Sequence, residues 1–116
     1  DFHELSDIKK LRQLFDAFQF AKYEQGDHYT WHPDWFLETR NNHQRKLSLT
    51  MQLTDPSQYD GGDFQFHQLG DRPDDQELRA QGTIVIFPSY LVHRITAVTR
   101  GCRHSLVAWY DGPEFR

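Results

Sequence analysis

The sequence predicts a mainly β domain, an antiparallel sandwich or barrel with one helix in front of it. Three observations support this. A two-residue alternation of apolar and polar side chains recurs in short segments from residue 18 onward. Clusters of Gly, Pro, Asp and Ser separate those segments. One stretch with helical spacing precedes them all. A jelly roll suits the number of strands, and periodicity alone leaves other all-β sandwiches open.

Taken in order, Leu5, Ile8, Leu11, Leu14, Phe15 and Phe18 recur at threes and fours, which lays them along one helical face over residues 5–18. Ser6 or Asp7 can cap its start. The period then becomes two: Phe18, Phe20 and Lys22 alternate with Gln19, Ala21 and Tyr23, and "EQGD" supplies a turn before "HYTWHPD". "KLSLTMQL", residues 46–53, is the clearest strand. Leu47, Leu49, Met51 and Leu53 take one face, and Lys46, Ser48, Thr50 and Gln52 the other. "DPSQYDGG" reads as a loop, "DFQFH" as a short strand, and residues 69–81 as a long polar excursion. "GTIVIFP", "LVHRITAV" and "RHSLVAWY" are three further strands, divided by "PSY" and "TRG". No repeat or compositional shift marks a linker, so one domain over residues 1–116 is expected, with its core at about 18–112.

Composition narrows the function classes. Nine Phe, five Tyr and three Trp supply much of the burial. A net charge of -4 argues against general nucleic-acid binding and leaves only a local basic patch, Arg94, Arg100 and Arg103, to consider. No apolar run approaches the roughly 18 residues of a membrane span, and no leader opens the chain, so a soluble, unexported, cytoplasmic domain is expected. The one cysteine, Cys102, permits no internal disulfide, which suits a reducing compartment. Oligomeric state is not legible.

His32 and Asp34 are one residue apart, so in an extended segment both side chains point to one side. His93, on a distant strand, is the natural third ligand. Two imidazoles and a carboxylate on one face of an octahedral ion leave the opposite positions open, the arrangement of non-haem Fe(II) oxygenases. A His-x-Asp pair alone is common by chance, and His3, His28, His43, His67 and His104 read as surface or supporting residues. Strand parity adds more. Arg103, Ser105, Val107 and Trp109 share a face of the last strand, and an arginine inside a small barrel requires a carboxylate. Arg103 can grip one in a bidentate fork with Ser105 adding a hydroxyl, which describes a dicarboxylate pocket. The plain alternative makes Arg103 an exposed strand residue. Likewise Ser48, Thr50 and Gln52 face solvent in an ordinary sandwich, and line the cavity in a ligand-holding barrel.

The succession "YEQGDHYTWHPDW", "RKLSLTMQL", "YDGGDFQFH" and "GTIVIFPSYLVHRITAVTRGCRHSLVAWYDG" resembles the iron(II) and 2-oxoglutarate-dependent oxygenases of the prolyl 4-hydroxylase superfamily, and within it the PKHD-type hydroxylases. "RHSLVAWY" also resembles the last core strand of the oxygen-sensing prolyl hydroxylases. The resemblance covers residues 18 to 112. It implies a double-stranded β-helix, that is a cupin-like jelly roll, with an N-terminal supporting helix. His32, Asp34 and His93 are then the iron ligands and catalytic residues, and Arg103 the partner of the distal 2-oxoglutarate carboxylate. Tyr23 matches a tyrosine that hydrogen-bonds the co-substrate, Tyr29 the aromatic three positions before the first ligand, and Gln52 a polar co-substrate neighbour. Ser105 and Trp109 follow by shared face.

The implied cofactors are Fe(2+), with 2-oxoglutarate and O2 as co-substrates and ascorbate as an optional addition. The implied reaction is hydroxylation of a C–H bond with release of succinate and CO2. An intact Asp34 implies hydroxylation rather than halogenation. A prolyl residue of a protein or peptide is the implied substrate, held by loops 35–45 and 68–82 and by Trp31, Trp35, Phe36 and Tyr90. Two features depart from the pattern: collagen-type enzymes usually carry Lys where this chain has Arg103, and members generally have more structure ahead of the core strands. Another residue or a small metabolite as substrate, a cupin-like metal-binding isomerase or sugar-binding module, and an inactive binding domain are the competing readings.

Overall fold

The computed structural model describes residues 18–34, 43–67 and 74–113. The helix expected over residues 5–18 lies outside these except for Phe18, which opens a strand. Trp35 and Phe36 lie outside them too.

Among the described residues, nine strands form three antiparallel sheets. They are β1 (Phe18–Tyr23), β2 (Tyr29–His32), β3 (His43–Gln52), β4 (Tyr59–Gly61), β5 (Phe64–Phe66), β6 (Ile84–Pro88), β7 (His93–Ile95), β8 (Val98–Gly101) and β9 (Arg103–Pro113). The largest sheet has the order β1-β9-β3-β6, the second β2-β7-β5, and the smallest is the pair β4-β8. This is the mainly β, antiparallel architecture that the alternating segments predict and the jelly-roll-like form that the resemblance implies. Among the described residues no helix is long and apolar enough to cross a membrane.

Several boundaries differ from the sequence-based expectation. The strand read at 46–53 begins at His43, so residues 43–45 of the expected loop are sheet. "DPSQYDGG" is not all loop: a 3-10 turn at Pro56–Gln58 leads into β4. The excursion at 69–81 holds a short helix, α1 (Asp75–Arg79), capped by the Asp74 side chain, which accepts from the Gln76 amide at 2.9 Å. Only Leu78 of that helix is buried, so it has no apolar period to read. "LVHRITAV" is two strands, β7 and β8, because Thr96 leaves its sheet to bond Asp63. Its amide donates to the Asp63 carbonyl at 2.9 Å and its hydroxyl accepts from the Asp63 amide at 2.8 Å. "TRG" is the end of β8, and only Gly101 turns, at φ 74°, against the Gln58 backbone, where a Cβ would collide. The basic patch does not form: Arg103 is buried, Arg100 pairs with Asp60 at 2.6 Å, and Arg94 grips Gln65 at 2.8 and 3.0 Å.

The register of the large sheet determines what lies inside. Directly paired residues of antiparallel strands share a face. One row is Ala21–Ser105–Gln52, the next Gln19–Val107–Thr50–Val85, and a third Trp109–Ser48–Phe87. Tyr23 pairs with Arg103 at the end of the same face. This is the inner face, so the polar side of β3 points inward: Ser48, Thr50 and Gln52 are all buried. The opposite face carries Leu49 and Ala108, packed with Phe18 and Ile84, and leaves Phe20 and Ile86 largely exposed. Between the sheets Phe64, Phe66, Leu78 and Phe87 form the main apolar core, with Val85, Leu91 and Ile95 against it. Each of the four buried side chains contributes about 1.5–3 kcal/mol by leaving water.

Candidate metal centre and adjoining cleft

His32 and His93 are cross-strand partners of β2 and β7, with ring centroids 4.3 Å apart. Asp34 follows β2 across Pro33, and its amide is anchored to the Ser89 carbonyl at 2.9 Å. One ligand atom from each of the three lies within 4.8 Å of the others.

The hydrogen bonds specify which atoms converge. Nδ1 of His32 meets the Thr30 carbonyl at 2.6 Å, and Nδ1 of His93 meets the Leu91 carbonyl at 2.9 Å. A carbonyl only accepts, so both Nδ1 atoms carry the proton and both Nε2 atoms present lone pairs. Those Nε2 atoms lie 3.5 and 3.4 Å from Oδ1 of Asp34. Its other oxygen accepts from the Ser48 hydroxyl at 2.6 Å, and Ser48 meets Ser89 at 2.9 Å. Since Ser48 spends its proton on Asp34, Ser89 donates to Ser48. Burial works to raise the Asp34 pKa, but the two imidazoles, which donate from Nε2 whenever they are protonated there, and the Ser48 hydroxyl outweigh it and hold the carboxyl well below the usual carboxylate range. Asp34 is therefore an anion, and with both imidazoles neutral three electron pairs face one point. That arrangement is repulsive unless a cation occupies it. Two imidazoles, one carboxylate and no sulfur suit a divalent ion such as Fe(II).

Aromatic rings hold the ligands in place. Tyr29 stacks on His32 at 3.6 Å, and Phe87 and Phe64 flank His93 at 4.9 and 5.4 Å. The triad opens into a cleft of about 290 Å³ whose other walls include Tyr23, Tyr29, Thr50, Val107 and Trp109. That volume is near the lower end for small-molecule sites. Val107 and Trp109 continue along β9 to Ser105 and Arg103 on the same face, and the Tyr23 ring lies 5.5 Å from the Arg103 guanidinium. The cleft therefore leads from the triad toward Arg103.

Arg103 is 1% exposed, and none of its three nitrogens has a hydrogen-bond partner. Burial lowers its pKa, with the Tyr59 and Tyr23 hydroxyls opposing the shift. Ser105 Oγ and Gln52 Nε2 are buried and unpartnered as well. A desolvated cation beside unused donors costs several kcal/mol unless an anion joins it. A carboxylate can accept from several of these donors, so the residues present suit both an Fe(II) ion and a diacid co-substrate.

The structure thus brings together His32, Asp34 and His93, and separately Arg103, Ser105 and Gln52, with Tyr23, Tyr29 and Trp109 on the cleft wall. Trp31 is not among the lining residues; it lies under the Arg94 guanidinium at 4.3 Å and against His67 at 4.9 Å. His28 and His67 are exposed and His104 is half-buried. Sequence reasoning did not assign Ser89, Tyr59 or the Phe64–Phe87 box to the site, nor a role to Ser48. For Ser48 the signal was present, because it shares a strand face with Thr50 and Gln52.

Comparison with known proteins agrees with this geometry. The model of the 2OG-Fe(II) oxygenase superfamily matches residues 18–111. A PKHD-type hydroxylase of Synechococcus sp. (strain CC9605) is 34% identical over 105 residues, covering 90% of this chain and 44% of that protein. One from Rippkaea orientalis is 32% identical over 113 residues, covering 96% and 50%. The chain thus spans half or less of the length of these relatives. Among solved structures, a Pseudomonas putida prolyl-4-hydroxylase superposes with a TM-score of 0.64 at 27% identity, covering 91% of this chain and 59% of that one. A viral collagen prolyl hydroxylase from Paramecium bursaria Chlorella virus-1 shares the fold, with a TM-score of 0.61 at 19% identity over 94% of this chain and 68% of that one. With two imidazoles and a carboxylate converging beside a buried guanidinium, and a family match running through nearly every described strand, the chain belongs to the 2OG-Fe(II) oxygenase superfamily.

Proposed function

We propose that this domain is the catalytic core of a hydroxylase that acts on a prolyl residue of a protein or peptide, using Fe(II), 2-oxoglutarate and O2. His32, Asp34 and His93 hold the metal. Arg103 takes the distal carboxylate of 2-oxoglutarate, with Ser105, Gln52 and the Tyr23 hydroxyl as further donors. When bound, the metal and co-substrate supply the oxidising power, with succinate and CO2 as by-products. The chain's residues orient the reactants: the Nδ1 bonds keep both imidazoles in the ligating tautomer, and the Ser48–Ser89 relay aims Asp34. The phenylalanines behind His93 exclude water from one side.

The observation that carries this reading is the unpartnered, buried Arg103 on the sheet face that walls the triad's cleft, beside the cleft residue Tyr23. A cupin-like isomerase or sugar-binding module has no use for such a cation. The prolyl substrate is supported by the names of relatives, the Pseudomonas putida prolyl-4-hydroxylase among them, and by the aromatic cleft wall of Tyr29 and Trp109.

The test is succinate formation by the Fe(II)-loaded chain, with ascorbate in the buffer, in the presence of proline-containing peptides. Mass spectrometry then seeks a gain of one oxygen at proline. Succinate coupled to another residue or to a metabolite would keep the chemistry and replace the substrate. No succinate under any condition would refute the oxygenase reading. Arg103→Ala is expected to weaken 2-oxoglutarate binding far more than metal binding, and His93→Ala to weaken both; equal effects would refute the assigned roles.

A further inference from the structure

Tyr59 has no part in the assignment above, yet it is as buried as Arg103, at 1% exposure. Its hydroxyl is inaccessible and has no hydrogen-bond partner. A phenylalanine would fill the same space without stranding that group, so the hydroxyl is a cost in the ligand-free chain.

Its surroundings hold it firmly. The Arg79 guanidinium of α1 lies over the ring at 4.2 Å. Arg79 is itself tied to the carbonyls of Tyr59 and Gly61 at 2.9 and 2.7 Å and to Asp63 at 2.7 Å. On another side is Gly62, at φ +63°, where a Cβ would come within 3.0 Å of Arg103 Cδ and 3.4 Å of the Tyr59 ring. The ring and the Arg103 stem thus pack against the same glycine, and the Tyr59 hydroxyl is among the groups that act on the Arg103 guanidinium. Arginine can only donate, so toward Arg103 the phenol oxygen can only accept, and its proton remains free for a further acceptor.

We propose that the Tyr59 hydroxyl is an additional anchor for the distal carboxylate of the diacid co-substrate, accepting from the Arg103 guanidinium and donating its own proton to the carboxylate. This rests on the reading of Arg103 given above. Arg79 is a positioning residue: through its stack on Tyr59 it links the exposed segment around α1 to co-substrate affinity.

The experiment uses the full chain loaded with Mn(II), which binds without turnover. Two ligands are compared by calorimetry: 2-oxoglutarate, and 2-oxopentanoate, which has the same carbon chain with a methyl group in place of the distal carboxylate. Tyr59→Phe is expected to raise the Kd of 2-oxoglutarate about tenfold or more, the loss of one hydrogen bond to a charged group. The Kd values of 2-oxopentanoate and of Mn(II) are expected to stay within about twofold. The ligand-free melting temperature is expected to hold or rise, because a stranded hydroxyl has gone. That opposite sign is what a purely structural tyrosine would not produce. Equal losses for both ligands, unchanged 2-oxoglutarate binding, or a ligand-free chain that melts several degrees lower would each overturn the proposal. Arg79→Lys supplies a second reading: it weakens the clamp on Tyr59 and should move 2-oxoglutarate affinity in the same direction as Tyr59→Phe, and an unchanged affinity counts against the strut. A wild-type chain that binds Mn(II) but not 2-oxoglutarate would instead remove the Arg103 site itself, and this inference with it.

Discussion

Ser48→Ala separates ligand orientation from ligand identity, because Ser48 touches no metal-facing atom. Its hydroxyl donates to Oδ2 of Asp34 at 2.6 Å, the short range of a hydrogen bond to a charged acceptor. Such bonds are worth about 1.5–3 kcal/mol, and each 1.4 kcal/mol is a factor of about ten. Removing it frees the Asp34 carboxylate to rotate, and the expected loss in metal affinity is about 10–100-fold, the range for partners behind a ligand. A second cost follows. Ser89 is fully buried and donates to Ser48 at 2.9 Å, so the variant strands that hydroxyl. The metal-free chain should then lose about 1–3 kcal/mol of stability. The assay is a Mn(II) titration read by the resonance of the free ion, with urea unfolding in chelator alongside. Affinity for 2-oxoglutarate, measured at saturating metal, should stay within about twofold, since the groups around Arg103 are untouched. A metal Kd that changes less than about threefold would refute the argument that Ser48 aims Asp34.

Three further outcomes are expected. Gly62→Ala forces a Cβ at φ +63° to within 3.0 Å of both Arg103 Cδ and Val98 Cγ2, which should cost about 1–3 kcal/mol in urea unfolding; unchanged stability with unchanged 2-oxoglutarate affinity would refute the tight packing at Arg103. Phe87→Ala empties a buried position against Phe64, Phe66 and His93, and should cost about 3–5 kcal/mol by chemical denaturation. Asp34 in the metal-free chain ionises below its unfolded value of about 3.9, so its contribution is present above that pH and lost as the pH falls toward the folded value. The stability gap between the wild-type chain and Asp34→Asn, measured with chelator present, should therefore narrow below about pH 4, and a gap that widens there would contradict the sign.

The parts of the site that could be read from sequence are those where a period of two does the work. His32 and Asp34 were paired by spacing, and Arg103 and Ser105 by strand parity, and the structure brings both pairs together inside one sandwich. The same rule separates the faces of β3 but cannot say which is inside. An apolar face normally marks the core, whereas here the face of β3 that Ser48, Thr50 and Gln52 share with Ser105 and Trp109 is buried as well, and Leu49 and Met51 take the opposite face. Only the neighbouring strand resolved that ambiguity, because Ser105 is the partner of Gln52 and lies beside Arg103 in sequence. Other features had no local signal at all. The α1 helix is five residues with one buried side chain, and the break between β7 and β8 depends on Asp63, 33 positions away. Ser89 and Tyr59 lie in segments read as turn and loop, and they matter through contacts with Ser48 and Arg79 that no spacing reveals.

What distinguishes this interior from an ordinary core is the sign of its energetics. Among the described residues, the buried side-chain atoms without a partner are Gln52 Nε2, Tyr59 OH, Ser105 Oγ and the three nitrogens of Arg103. Native interiors leave few such groups, and each lowers stability. A fold selected for stability alone would exchange them for apolar side chains of similar volume, often without loss. Their grouping around one cation, on the sheet face that walls the triad's cleft, instead suits a small diacid that reaches the metal with its near end. Binding would give these donors a charged acceptor. The ligand-free chain should accordingly be the less stable form, by the amount that mass action sets from the Kd. At 100 times its Kd any single ligand adds about 2.7 kcal/mol. The stranded donors enter through the Kd itself, so Arg103→Met should gain ligand-free stability while losing nearly all of the 2-oxoglutarate response.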